Sequence, residues 1–253
     1  MSVVRAERSG QVATITLDSP ANANALSSAL VGQLRAELDT ALADPVVRVI
    51  VLTGAGRVFC SGADLKEALT GPGMAAGLLT GVIGALWDSK KPVICRVNGS
   101  ARAGGIGLVA ACDLAIAPVT ATFAFSEVRI GVAPAVISVP CLRRMPSRAA
   151  AEYFLTGEVF GAARAAEIGL LTRAVAAEDL DAETNRFVAM LLRGAPDALA
   201  ATKDVLRDVG AGSVAAELTR MSALSGRLFS SDDAREGMTA FAEKRDPVWV
   251  VNA

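Results

Sequence analysis

Residues 47–53 read VRVIVLT, a run in which Val47, Val49, Ile50, Val51 and Leu52 leave neither face of an extended strand polar. A strand of this kind has to be covered on both sides, and parallel sheets flanked by helices are the architecture that does so. PVICRV at 92–97 is a second such run, and DLAIA at 113–117 and TFAF at 122–125 are shorter ones. Ahead of them, QVATITLD at 11–18 alternates apolar and polar side chains, as a half-buried strand does, and VVRAERS before Gly10 can fold back on it as a hairpin. Between these strands, residues 28–43 place Leu30, Leu34, Leu38 and Leu42 four apart on one helical face, with Ser27 as the N-cap. Alternating strands and helices predict an α/β fold with parallel pairing.

Beyond about residue 147 the pattern changes. SRAAAEYFLTG, GAARAAEIG, 179–192 and 196–209 are alanine-rich and helical, LLTRAV is the single strand-like interruption, and 213–245 reads as two further helices. No internal repeat stands out. The chain has 253 residues, 52% of them hydrophobic, enough for one large domain or a core with a smaller appendage.

The composition narrows the chemistry. Lys and Arg number 25 against 26 Asp and Glu, so there is no electrostatic footprint for nucleic acid or an anionic membrane surface. Cys60, Cys95, Cys112 and Cys141 form no C-x-x-C pair and read as buried free thiols. The N-terminal MSVVRAERSG lacks the apolar core of a signal peptide, and no apolar stretch is long enough to span a bilayer. A cytoplasmic, reduced protein is expected. The chain contains no histidine. A Ser-His-Asp triad, a Cys-His pair and His-ligated metals are therefore excluded, and carboxylates become the first candidates for proton transfer.

Three glycine-rich junctions follow strands, where α/β proteins bind ligands: TGAGRVFCSGADLKE at 53–67, VNGSARAGGIGLVAACD at 97–113 and TFAFSEVRIGVAPA at 122–135. Each could also be plain turn chemistry. The second contains Gly105-Ile-Gly107-Leu-Val-Ala110, which fits the dinucleotide fingerprint G-x-G-x-x-G/A. That fingerprint should open directly off its strand, however, and here Asn98 to Ala103 intervene. NAD or FAD binding is disfavoured.

Taken together, the junctions resemble the enoyl-CoA hydratase/isomerase family, also called the crotonase superfamily. The matching residues are Ser61-Gly62-Ala63-Asp64-Leu65-Lys66, Lys91-Pro92-Val93-Ile94 leading to Val97-Asn98-Gly99, Ala103-Gly104-Gly105, Ala111-Cys112-Asp113 and Phe125-Ser126-Glu127. Glu236 to Arg245 resembles the family's closing segment. The resemblance covers nearly the whole chain. It implies a crotonase-like ββα spiral core over 1–195 and a helical region over 196–253 that serves oligomerisation and active-site closure. It also implies assembly as a homotrimer or dimer of trimers, with coenzyme A arriving as part of the substrate and no separate cofactor. The amides of Ala63 and Gly104 would form an oxyanion hole for a thioester carbonyl, with Asp64, Leu65, Lys66 and Lys244 also at the substrate and the two lysines near the coenzyme A phosphates. Glu127 matches a catalytic carboxylate, and beside an apolar acyl pocket its pKa should be raised.

The chain departs from the pattern at two places. The turn Ser19-Pro-Ala-Asn-Ala-Asn24 lacks the family's basic residue, and the position where typical hydratases carry a second glutamate is Gly107. Hydration of a 2-enoyl-CoA by Glu127 is the first expectation from the whole-chain resemblance. A 3-enoyl to 2-enoyl isomerisation, which one glutamate can perform alone, is the close alternative, and a non-catalytic acyl-CoA-binding homologue is the third. Another acid supplied from the stretch 67–84 could fill the missing role.

Overall fold

The computed structural model describes residues 2–69, 74–208 and 213–251. The chain opens with the hairpin β1 (Val4–Ser9) and β2 (Val12–Leu17), turned by Gly10 at φ +54°, a left-handed angle that favours glycine. Next come α1 (Ser28–Ala43), β3 (Val49–Gly54), β4 (Val58–Cys60), the single turn α2 (Leu65–Ala68) and α3 (Met74–Asp88). They are followed by β5 (Val93–Arg96), β6 (Ser100–Arg102), α4 (Gly104–Ala111), β7 (Leu114–Pro118), β8 (Thr122–Ala124) and α5 (Ala135–Arg144). The remainder is α6 (Ser147–Thr156), β9 (Phe160–Gly161), α7 (Ala162–Glu167), β10 (Arg173–Val175), α8 (Leu180–Leu192), α9 (Pro196–Asp208), α10 (Val214–Phe229) and α11 (Asp232–Glu243). Val209, expected at the end of the helix from Pro196, lies outside the described residues.

The strands form two sheets. One has the order β1-β2-β3-β5-β7-β10, antiparallel in the hairpin and parallel thereafter; the other has the order β4-β6-β8-β9. Each apolar strand of the first sheet is followed by a three-residue strand of the second and then by a helix: β3-β4-α3, β5-β6-α4 and β7-β8-α5. The core is thus a ββα unit wound three times, with a helical C-terminal region after it. The repeat is invisible as sequence because β4 and β6 lie inside glycine-rich junctions, too short to carry a period.

The apolar runs are buried on both faces, as read. Ile50, Leu52, Val93 and Cys95 join the main core with Leu30, Leu34 and Leu38 of α1, while Val49, Val51, Ile94 and Ile116 pack against α8. Full burial of each of these three leucines contributes about 1.5–3 kcal/mol, while Leu42 is half-buried. Ser27 caps α1 by accepting a hydrogen bond from Leu30 N at 3.2 Å. Two cationic side chains tie the C-terminal region to the sheet. Arg48, at the foot of β3, donates to the carbonyls of Leu192, Gly194 and Trp249. Lys203 of α9 is buried and sits 2.6 Å from Asp113 Oδ2, which also accepts from Val93 N. Asp113→Ala is therefore expected to cost about 3–5 kcal/mol in denaturant unfolding, because it strands a buried ammonium. A loss no larger than that of a surface ion pair would show the lysine re-solvated. Among the described residues no helix is long and apolar enough to cross a membrane.

Candidate active site

The three turns of the spiral bring their junctions together at one end, where the first turns of α4 and α5 begin. In the first junction, Gly62 has φ +93°, and a Cβ there would stand 2.9 Å from the Cβ of Ala103 and 3.3 Å from Arg102 O. In the second, a Cβ on Gly105 would lie 2.7 Å from Cys60 Cβ. The segments 60–62 and 103–105 are thus pressed together, and glycine is what permits it.

That contact sets where two backbone donors point. Ala63 is bridged to Leu26, with Leu26 N donating to Gly62 O at 2.8 Å and Asp64 N to Leu26 O at 3.5 Å. The bridge uses the groups on either side of Ala63, so its own N–H faces away from Leu26, and no acceptor for it is present among the described residues. Gly104 is the first residue of α4, where an N–H has no partner within the helix. The preceding Ala103 has φ +47° and ψ −121°, a sparsely populated conformation for a residue with a Cβ. It is held by a bond from Ala103 N to Ala124 O at 3.1 Å.

Glu127 comes from the third junction. It lies in a short 3-10 turn, Ser126–Ile130, that ends on Gly131 at φ +81°. Together with Ala63 and Gly104 it lines a cavity of about 430 Å³. Leu26, Leu65, Leu79 and the aliphatic stretch from Ile130 to Ile137 supply most of the remaining wall, and Ser61 and Ser126 are the other polar residues on it. Glu127 is the one ionisable residue lining the cavity among the described residues. Its Oε2 is buried with no hydrogen-bond partner there, and burial raises the carboxyl above the ordinary glutamate value, against a smaller opposing effect from its own backbone. Cys141 of α5 is buried near this carboxylate, and its thiol is pushed up by burial first and by the negative charge of Glu127 second.

Of the other expected site residues, Leu65 is on the cavity wall and the rest fall elsewhere. Asp64 caps α2, accepting from Lys66 N at 3.0 Å and Glu67 N at 3.3 Å, and the Asn22 amide at 2.9 Å is the first cause holding its carboxyl below the usual range. Lys66 is exposed and Lys244 is the left-handed C-cap of α11; neither lines the cavity. Glu67, the sole acid in 67–84, accepts from the backbone N–H and hydroxyl of Ser28 and does not line the cavity. Gly105, Gly107 and Ala110 are buried inside α4, where they serve helix packing rather than a phosphate loop. A Cβ on Gly107 would lie 2.4 Å from Ile137 Cγ2 and 3.3 Å from Ile83 Cδ1, so α5 occupies the space a side chain there would need. Ile137 carries no signal in the sequence that would have marked it. Among the described residues no group of three His, Cys, Asp or Glu is placed to hold a metal ion.

Comparison with known proteins bears out the family resemblance. Residues 7–252 match the family model described as enoyl-CoA hydratase/isomerase. The chain is similar to a carnitinyl-CoA dehydratase of Proteus mirabilis, 35% identical over 252 residues and 95% of each chain. Among solved structures it is similar to an enoyl-CoA hydratase from Shewanella pealeana, with TM-score 0.93, 32% identity and 98% and 96% of the two chains covered. It is also similar to an enoyl-CoA hydratase from Mycobacterium smegmatis, with TM-score 0.92, 33% identity and 99% and 100% covered.

Proposed function

Because the chain belongs to the enoyl-CoA hydratase/isomerase family, we propose that it adds water to a 2-enoyl-CoA thioester, with Glu127 as its single acid and base. The observation that carries this reading is a lone carboxylate, raised in pKa, facing an apolar cavity beside two backbone N–H groups without acceptors. In this reading the thioester oxygen sits between the amides of Ala63 and Gly104. As the oxygen of water bonds to C3, the C2=C3 electron pair moves toward that carbonyl and makes an enolate. Each fixed donor then stabilises the new charge by about 3 kcal/mol, and the positive end of α4 adds to it. Glu127 takes the proton from the attacking water and returns it to C2. Ser61 and Ser126 are the cavity's other hydrogen-bonding side chains and are suited to hold that water.

The packing at Gly107 favours a second reading. With Ile137 filling the place of a second acid, one carboxylate can remove a proton from C2 of a 3-enoyl-CoA and deliver it to C4, with no water involved. Ultraviolet absorbance of the conjugated enoyl thioester separates the two: hydration consumes it from a 2-enoyl-CoA, and isomerisation creates it from a 3-enoyl-CoA. No change with either substrate, across short, long and branched chains, would leave only an acyl-CoA-binding role.

Either reaction needs Glu127 charged at the start. The acid limb of kcat/KM is therefore expected at a midpoint above 4.5, the ordinary glutamate value, because burial disfavours the carboxylate. A midpoint at or below that value would assign the limb to another group. We extend the proposal to assembly as a trimer or paired trimers through the C-terminal helices. The exposed Phe229 and Phe241, at 70% and 88%, support it, since apolar rings of this size are seldom left in water. Light scattering is expected to give a mass three or six times that of one chain.

A further inference from the structure

At their other ends, α3, α4 and α5 border a second cavity of about 280 Å³, lined by Trp87, Asp113, Arg143, Arg144, Lys203 and Arg207 among others. It shares no lining residue with the acyl cavity. Some of its positive charge has a structural use. Lys203 is neutralised by Asp113, and Arg144 donates through Nε to Ala110 O at 3.2 Å and through Nη2 to Cys112 O at 3.0 Å, capping the end of α4. The rest has none. Arg143 bonds only the carbonyl of Val139 on its own helix, which leaves its Nε and Nη2, and Arg144 retains Nη1.

Neither of these arginines forms an ion pair among the described residues, yet both guanidinium groups lie against the Trp87 ring, 5.9 and 4.9 Å from its centre. Arg207 is the most telling. Its Nη2 is buried and makes no hydrogen bond; Asp204 Oδ1 is 3.3 Å away but out of line, and that carboxylate is held by Lys90 at 2.6 Å. Crowded cations with unused planar donors match a tetrahedral oxyanion, which accepts from several guanidinium forks at once.

We propose that this cavity binds a phosphate-class dianion, gripped by Arg143, Arg144 and Arg207, at a site separate from the acyl cavity. Free phosphate fits the volume, and so does a small phosphate monoester whose carbon portion rests on Trp87. The probes are inorganic phosphate and glycerol phosphate, with sodium chloride at equal ionic strength as the reference. Thermal unfolding and titration calorimetry of the full chain are expected to show stabilisation by the phosphates beyond that by chloride. Arg143→Gln, at an exposed residue, should fold normally and bind phosphate about tenfold more weakly, the loss of one charged hydrogen bond. Arg207→Gln should do the same, whereas Lys66→Gln should bind as the parent does. A stronger response to glycerol phosphate assigns the site to an ester, and an equal one to the free ion. Stabilisation by chloride alone, an unchanged affinity in Arg143→Gln, or a loss confined to Lys66→Gln would each overturn the proposal.

Discussion

Glu127→Gln is expected to lower kcat by about 10²- to 10⁴-fold while leaving acyl-CoA affinity near that of the parent, because it removes the proton carrier and keeps the shape. The same substitution should make the protein more stable. Burial raises the carboxyl above 4.5, so between that pH and the folded-state value the native chain holds a proton that the unfolded chain has lost. Stability is therefore full below 4.5 and falls as pH rises through the folded-state value, where the buried carboxylate becomes charged with Oε2 unpaired. Glutamine carries no charge to desolvate. Its melting temperature should exceed the parent's at pH 8, and the gap should close in acid. A variant that loses activity and is also less stable at pH 8 would make Glu127 a structural residue.

Gly104→Pro is the second large effect. It deletes one of the two unclaimed N–H groups at a helical position whose N–H has no intrahelical role, where proline is otherwise tolerated. Proline also brings a Cβ, which would stand 2.7 Å from Leu26 Cδ1 and 3.2 Å from Leu79 Cδ2. Gly104→Ala brings the same Cβ and keeps the donor, so the comparison between the two separates the crowding by Cβ from the lost donor and from the proline ring's demand on Ala103, which sits at φ +47°. Relative to Gly104→Ala, Gly104→Pro is expected to lose a further 10²- to 10³-fold, roughly, in kcat with acyl-CoA binding largely retained. Equal losses in both variants would assign the effect to the crowding of Leu26 and remove Gly104 N from the chemistry.

Where burial is regular, the fold is legible in the sequence. VRVIVLT and PVICRV became β3 and β5 because both their faces are covered, one by the main core and the other by α8. The four-residue leucine spacing gave α1 its observed bounds of Ser28–Ala43, since a capping serine marks the start independently of the period. The second sheet was not legible. TFAF was recognisable as extended, but its partners SAR and VFC are too short for alternation to appear, and their pairing is a fact of tertiary geometry.

The candidate site divides in the same way. Ala63, Gly104, Leu65 and Glu127 line one cavity, and they were found through a motif order that follows the backbone. Asp64 and Lys66 sit in the same motif, yet one is a helix cap and the other an exposed side chain, because adjacency along a turn does not fix direction. At Gly107 the sequence lacks the acid that typical hydratases carry. The structure adds the reason that no side chain fits there: Ile137, an unremarkable aliphatic residue thirty positions on, already stands in its path.

The winding of the spiral separates two kinds of work. The two unclaimed amides, of Ala63 and Gly104, come from its first two turns, while the aliphatic wall from Ile130 to Ile137 belongs wholly to the third. In the proposed reaction, acyl preference can consequently drift through changes in that one stretch of chain while the two amides stay in place. A lineage built on this plan can diversify its diet without relearning its chemistry.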